Sequence, residues 1–389
     1  MPAPDETAVV ATLLSGPALA EAVREIWDAG EVVLPLNPAA PTPELEALLA
    51  RLRPTAFVDP DGRRPRTDGI PAAADLAAIV VTSGTTGEPK GVELTRTGME
   101  VMGRSYSAGL DAGPGDRWLA CLPLHHVASL GAVARGYVTG VPFTVHDGFD
   151  LARVAASPRQ EGTTIVSLVP TALGRLLDAG APMHEFRRVI VGGAPCPPAL
   201  RARAEATGAT VVDAYGMTET WGGWALDGLP IEGAEAALAP DGEVLVRGAM
   251  VMRGYRFEPE LTLAVLRPDG WLHTGDIGTI VEDRVEVTDR KKDLVITGGV
   301  NVSPTEVETV LAAHPAVQDI CVVGLPDDEW GERVVAYVVP RGDAPTVDAL
   351  RAFGRDRLSA AKLPREVRVV REIPRSGSGK ALRRQLRDS

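Results

Sequence analysis

The chain of 389 residues is 45% apolar and 24% charged and carries a net charge of −12. That length fits two domains or more around a large core, and the balance is that of a globular protein rather than a disordered or fibrous one. The acidic excess excludes an extended nucleic-acid surface, which needs clustered Lys and Arg to displace phosphate counterions, and leaves small molecules as the expected partners. Cys121, Cys196 and Cys321 lie far apart and form no CxxC, so neither a disulfide framework nor a zinc site is expected, in keeping with a reducing cytoplasm. The N-terminal MPAPDETAVV lacks a basic start followed by an apolar core, and no apolar run approaches the ~18 residues that cross a bilayer. Neither a signal peptide nor a membrane span is expected.

In chain order, LAEAVREIWDA (19–29) has helical spacing and stops at Gly30, and VVLPL (32–36) reads as a buried strand. A second helix over 43–52 and a second strand, TAFVD (55–59), continue a βα alternation. DPDGRRPRTDGIP (59–71), rich in Pro, Gly and charge, reads as a mobile linker. LAAIVV (76–81) opens the next strand, and RWLACLPL (117–124), TIVSLVP (164–170), RVIVGGA (188–194) and TVVDAYG (210–216) are strand-like. Four strand ends run into polar or glycine-rich residues: Thr82 to Gly87, His125 and His126, Gly192 and Gly193, and Gly216 to Glu219. Ligands of open α/β sheets bind beyond the carboxyl ends of strands, so these junctions are expected to share one nucleotide pocket.

From Gly242 the texture changes to short β-like pieces (EVLVRG, VMRGY, GWLHTGD, TIVEDRVEVTD), and after Asp289 a charged turn leads into a strand, a helix over 304–311 and two further strands. The expected architecture is α/β: a large N-terminal domain of layered sheets and helices over 1–289, with a short N-terminal region, and a small α+β domain over 290–389. The basic stretch KALRRQLR (380–387) reads as a solvated helix face at Arg383, Arg384 and Arg387.

The stretch VTSGTTGEPKGVELT (81–95) admits two readings. Ser83, Gly84, Thr85, Thr86 and Gly87 can present consecutive backbone N–H groups to phosphate oxygens, because glycine tolerates positive φ and lacks a Cβ. Lys90 adds a point charge suited to a polyphosphate. The same residues also compose an ordinary Gly/Thr-rich hairpin, and a short glycine motif does not decide between the two.

Four further motifs do. YGMTET (215–220), GWLHTGDIG (270–278), DRKKDLVITGGVNVSPTEVE (289–308) and PRSGSGK (374–380) follow the loop in the order found in adenylate-forming enzymes, and the chain resembles that superfamily of acyl-CoA synthetases, peptide-synthetase adenylation domains and luciferases over 76–389. The resemblance implies an ATP-dependent, Mg²⁺-dependent reaction in which a carboxylate displaces pyrophosphate to give acyl-AMP, and a thiol, coenzyme A or a carrier's phosphopantetheine, then displaces AMP. It assigns Thr82 to Gly87 and Lys90 to the β- and γ-phosphates, and Glu219 to Mg²⁺. The ribose falls to Asp276 and Arg290, and the adenine slot to Gly192, Gly193, Ala194 and Tyr215, with Gly216 and Thr218 in the same motif. His126 is placed beside the reacting carboxylate, Lys380 on the carboxylate and α-phosphate, Lys292 at the hinge, and Gly298 and Gly299 along the pantetheine arm. Trp330 either lies near the CoA nucleotide or caps the small domain's core. GSGK (377–380) is not a nucleotide-binding P-loop, since Pro374 stands where its first glycine belongs and Ala381 where Ser or Thr would bind magnesium.

Only about 75 residues precede the phosphate loop. This compactness, with GFD (148–150), SLVPTAL (167–173) and GGWALDGLP (222–230), resembles o-succinylbenzoate-CoA ligases of menaquinone synthesis. Trp221 and Trp224 stand near the expected acyl pocket, and Arg135 is the cation there that suits a second carboxylate. The 289–304 segment is closer to fatty-acid or aryl-acid ligases. A carrier-loading adenylating enzyme and a non-catalytic sensor are the alternatives, and the short N-terminal region leads us to expect a homodimer that covers an apolar face.

Overall fold

The first helix forms over Gly16–Asp28, with Ser15 at its N-cap and a proline in the first turn. Leu19, Ala20, Val23, Ile26 and Trp27 bury one face at helical spacing, and each large apolar side chain contributes about 1.5–3 kcal/mol on burial. Trp27 Nε1 also donates to Ala77 O at 2.9 Å, which fastens the helix to the strand Leu76–Ser83. The computed structural model describes residues 5–83, 89–375 and 381–388. Two compact units are present, Met1–Ala236 with Val246–Leu272, and Ala237–Leu245 with His273–Ser389.

Two seven-stranded sheets, with a small pairing of Glu6–Thr7 and Ala72–Ala73 beside them, build the first unit. One runs in the order Gly254–Tyr255, Pro89–Thr95, Leu76–Ser83, Val32–Pro35, Val9–Thr12, Ala56–Asp59, Gly62–Pro65. Its middle is parallel, whereas Leu76–Ser83 and Pro89–Thr95 form an antiparallel hairpin with Thr82 opposite Lys90. The other runs Phe143–Val145, Trp118–Ala120, Ile165–Leu168, Arg188–Gly192, Val211–Met217, Gly222–Leu226, Leu229–Pro230, and its first five strands are parallel. The apolar runs read from the sequence are the buried strands of this sheet, packed under helices that contribute Val154, Leu173 and Leu176.

In the second unit, Leu272–Val281 and Arg284–Arg290 form a hairpin beside Glu243–Arg247. A five-stranded sheet around Val317–Asp327 and Gly331–Pro340 packs on the helix Pro304–Leu311 through Val307, Leu311, Val322 and Val334. The expected border at 289/290 falls inside this unit, because Asp289 Oδ2 accepts from Ser303 Oγ at 2.8 Å and Thr305 N at 2.9 Å at the start of that helix.

Two expectations are corrected. Residues 59–71 are not a mobile linker: Gly62–Pro65 pairs with Ala56–Asp59, Ile70 N donates to Arg53 O at 2.9 Å, and Arg256 donates to Ile70 O at 2.5 Å. Nor is the basic C-terminal helix, Arg383–Arg387, solvated all round. Arg383 bridges Glu308 at 2.7 Å with its side chain 12% exposed, while Arg384 is the residue left in solvent.

Candidate active site

The phosphate loop is flanked by the antiparallel strands Leu76–Ser83 and Pro89–Thr95, and the geometry around it is read from those strands and their neighbours. Gly84, Thr85, Thr86 and Gly87 lie outside the described residues, as does Lys380, and Ser83 is described only as backbone. Lys90, on the returning strand, is buried with Nζ 4.9 Å from the centroid of the Tyr255 ring. Tyr255 sits on the neighbouring strand opposite Val92, which places its ring diagonally across from Lys90 on one sheet face. Its hydroxyl donates to Glu219 Oε1 at 2.8 Å. Burial, and then the charge and hydrogen bond of Glu219, push the phenol's pKa well up, so it stays a donor.

Glu219 belongs to the other sheet. It follows Val211–Met217 in the short turn Thr218–Thr220, whose Thr220 hydroxyl is bonded to Met217 O at 3.0 Å and Gly222 O at 2.7 Å. Glu219's own carbonyl accepts from Met252 N at 2.7 Å. A carboxylate of one sheet is thus held by a tyrosine of the other, and a buried ammonium lies over that tyrosine's ring.

Around it stand the other strand ends. Gly192, Gly193 and Ala194 follow Arg188–Gly192, and Gly193 has φ of +78°. Tyr215 is half-buried and meets Trp224 edge-on, with centroids 5.2 Å apart. Gly216 admits no side chain, since a Cβ there would collide with Gly222 O. Trp221 and Trp224, expected near the acyl pocket, are both fully buried, and Trp221 Nε1 donates to Thr95 O at 3.0 Å, at the N-cap of the helix Arg96–Gly109. His126 is exposed at the N-cap of the helix Val127–Thr139, with its ring 4.4 Å from that of the half-buried His125. Burial, with His126 alongside, lowers His125 to about 4, and partial desolvation of its ring by the surrounding protein lowers His126 in the same direction, although much of that residue is open to solvent.

In the second unit, Asp276 and Arg290 face each other across the hairpin and form a 2.6 Å ion pair. Asp276 is 2% exposed, and its backbone N–H is held by Thr274 Oγ1 at 3.1 Å. Behind this turn Glu243 accepts from Gly275 N at 2.9 Å and from Lys291 Nζ at 3.0 Å, with His273 Nδ1 also 3.0 Å away. Burial works to raise the Glu243 carboxyl, but these bonds outweigh it and lower it. Lys292 is exposed in the turn Lys291–Asp293. Gly298 and Gly299 are the tip of the hairpin Val295–Thr297 to Val300–Val302, with φ of +55° and +76°. Trp330 does not cap the small core. It packs on Gly298, accepts that residue's N–H on its carbonyl at 2.8 Å, and lies under Arg365 at 4.1 Å.

Tyr255 and Glu243 were not legible as site residues. Each supports an assigned carboxylate or turn from ~30 or more residues away in sequence, and VMRGY and GEVLVRG carry no local sign of that task.

Residues 59–256 match the AMP-binding enzyme family and residues 306–380 the AMP-binding enzyme C-terminal domain. A probable 2-succinylbenzoate–CoA ligase of Mycobacterium tuberculosis is 38% identical over 328 residues, covering 80% of this chain and 84% of the relative. A feruloyl-CoA synthase of Amycolatopsis sp. is 33% identical over 424 residues, covering 95% and 86%. The o-succinylbenzoate CoA synthetase (MenE) of Bacillus subtilis, solved with the acyl-adenylate intermediate OSB-AMP, superposes with a TM-score of 0.87 at 29% identity, over 99% of this chain and 89% of that one. With both parts matched in order, the chain belongs to the AMP-binding enzyme family.

Proposed function

We propose that this chain is an ATP-dependent, AMP-forming acid–CoA ligase whose acid is an aryl carboxylate of the 2-succinylbenzoate type. It uses ATP, Mg²⁺ and CoA, and it joins carbon to sulfur. The observation that carries the reading is Glu219, fixed by the Tyr255 hydroxyl where two sheets converge and followed by the buried Lys90.

Glu219 Oε2 accepts no hydrogen bond from a described residue, and no cluster of three or more His, Cys, Asp or Glu among those residues could hold a metal alone. That suits magnesium, which keeps most of its shell as water and phosphate oxygen. When bound at Glu219, the ion neutralises phosphate charge and so lets a carboxylate approach. Lys90 positions the departing phosphates, and its burial strengthens its field there. Tyr215 offers its half-exposed ring to the base, and Gly192 and Gly193 allow close approach. Asp276, oriented by its 2.6 Å pairing with Arg290, accepts from ribose hydroxyls. A neutral His126 borders the reacting carboxylate without pairing with it as a cation.

The roles of Lys380 on the α-phosphate, of Lys292 as hinge and of Gly298 and Gly299 along the thiol arm rest on sequence resemblance, and the division at 289/290 rests on the change of sequence texture there. A homodimer and a cytoplasmic location complete the proposal. Three unpaired thiols support the latter, and no described helix is long and apolar enough to cross a membrane. The test offers aryl and aliphatic acids with either CoA or a holo-carrier protein as acceptor. Acid-dependent pyrophosphate release with thioester formation on CoA supports the reading, and transfer to the carrier alone contradicts it.

A further inference from the structure

Arg135, in the helix Val127–Thr139 that His126 caps, keeps 3% of its surface exposed. Its guanidinium lies between the Tyr106 ring, 4.6 Å from the centroid, and the Trp118 ring at 4.4 Å. Two aromatic faces stabilise a cation above and below. They accept none of the five N–H donors that a guanidinium carries in its own plane. Nε is sealed from solvent without an acceptor, and no described residue accepts from either terminal nitrogen. Burial depresses the group's basicity, and the one opposing influence is Tyr106, not a carboxylate. A buried cation of this kind is built at a cost and left without the anion that would offset it.

Its position along the helix points to that anion. Helical side chains lean toward the N-terminus, and Nη1 accordingly lies 3.2 Å from where a Cβ on Gly131 would stand, four residues back. The same point is 3.6 Å from Trp221 O, in the turn that follows Glu219. A larger residue at 131 would press directly on the guanidinium. Gly131 is five residues past His126, about 7.5 Å along the axis, a separation that the two carboxylates of an aryl dicarboxylate span.

We propose that Arg135 is the anion subsite of the acid pocket, its in-plane N–H groups pairing with the second carboxylate of an aryl dicarboxylate while the first is adenylated. This rests on the acid–CoA ligase reading above. The Tyr106 and Trp118 rings crowd the guanidinium carbon, which leaves its N–H fork as the part that a carboxylate pairs with.

The test uses the full chain with ATP and Mg²⁺, and measures pyrophosphate release with 2-succinylbenzoate, with 4-oxo-4-phenylbutanoate and with 2-butanoylbenzoate. The last two each lack one carboxylate. The wild-type enzyme is expected to favour the diacid by about a hundredfold in kcat/KM, because a buried donor left unpaired rejects the truncated acid. Arg135→Met is expected to cut the diacid's kcat/KM by about a hundredfold, mostly through KM, and to leave the activated monoacid within about threefold; Arg135→Lys restores part of the preference. If the Met variant does not fold, Arg135→Lys carries the comparison. Equal losses on diacid and monoacid, or an intact diacid preference, overturn the subsite and leave the ligase reading standing. If the wild-type enzyme activates none of the three acids, the acid assignment fails, and thermal shifts decide the subsite. A larger stabilisation by the diacid than by the monoacids that Arg135→Met abolishes upholds it, and equal shifts overturn it.

Discussion

Tyr255 shows how one residue sets the character of another. A carboxylate with the metal-holding role proposed for Glu219 must be held without being neutralised, and a phenol whose ionisation is suppressed by burial does this by donating one hydrogen bond and no charge. Tyr255→Phe removes that bond and leaves the ring over Lys90. It is expected to lower acyl-AMP formation about tenfold and to raise the Mg²⁺ concentration needed for half-maximal rate. An unchanged Mg²⁺ titration would show that Glu219 needs no such positioning. His125 gives a second prediction at this scale. Its folded-state pKa, about 4, lies below the ordinary 6.5, so between those values the unfolded chain binds the proton that the folded chain refuses. Its contribution to stability is therefore full above pH 6.5 and is lost as the pH falls toward about 4. His125→Phe should flatten that part of the stability–pH curve, measured by urea unfolding, and a slope identical to wild type would contradict the assignment.

At the scale of elements, the site depends on where backbones come close. Gly216 lies where the strand Val211–Met217 shifts register against Gly222–Leu226 and has no room for a Cβ. Gly216→Ala must push apart the strand that carries Tyr215 from the one that carries Trp224, at a cost of about 2–4 kcal/mol. A denaturant midpoint within error of wild type would count against this tight approach. The sequence made the parallel strands legible, because 164–170, 188–194 and 210–216 are short apolar runs that end in glycine or polar residues. It misled at 59–71, where Pro, Gly and Arg have the composition of a linker but pair with the preceding strand. It misled again at Arg383, whose partner Glu308 is 75 residues away and invisible to local pattern. Arg383→Met leaves that glutamate buried without its cation and is expected to cost about 3–5 kcal/mol in unfolding experiments. A loss under about 1 kcal/mol would return the basic helix to a solvated face.

At the scale of the molecule, the ordered motifs made family and fold class readable, since each is a local string tied to a local task. What was not readable is how separate elements share those tasks. Glu219 and Lys90 belong to different sheets, and Tyr255, which neither motif contains, touches both of them. Asp276 depends likewise on Glu243, in a strand formed about 30 residues earlier. The division of labour along the chain has its own test. Lys380→Ala should nearly abolish acyl-AMP formation while leaving thioester formation from supplied acyl-AMP largely intact, and equal loss of both steps would contradict the role given to that lysine.

The measurement that bears most directly on the whole account is release of pyrophosphate from ATP by the purified chain with Mg²⁺ and 2-succinylbenzoate, followed by addition of CoA. Release is expected to require the acid, and one AMP is expected for each thioester formed. Release without acid dependence, cleavage of ATP to ADP, or no thioester on adding CoA would contradict it.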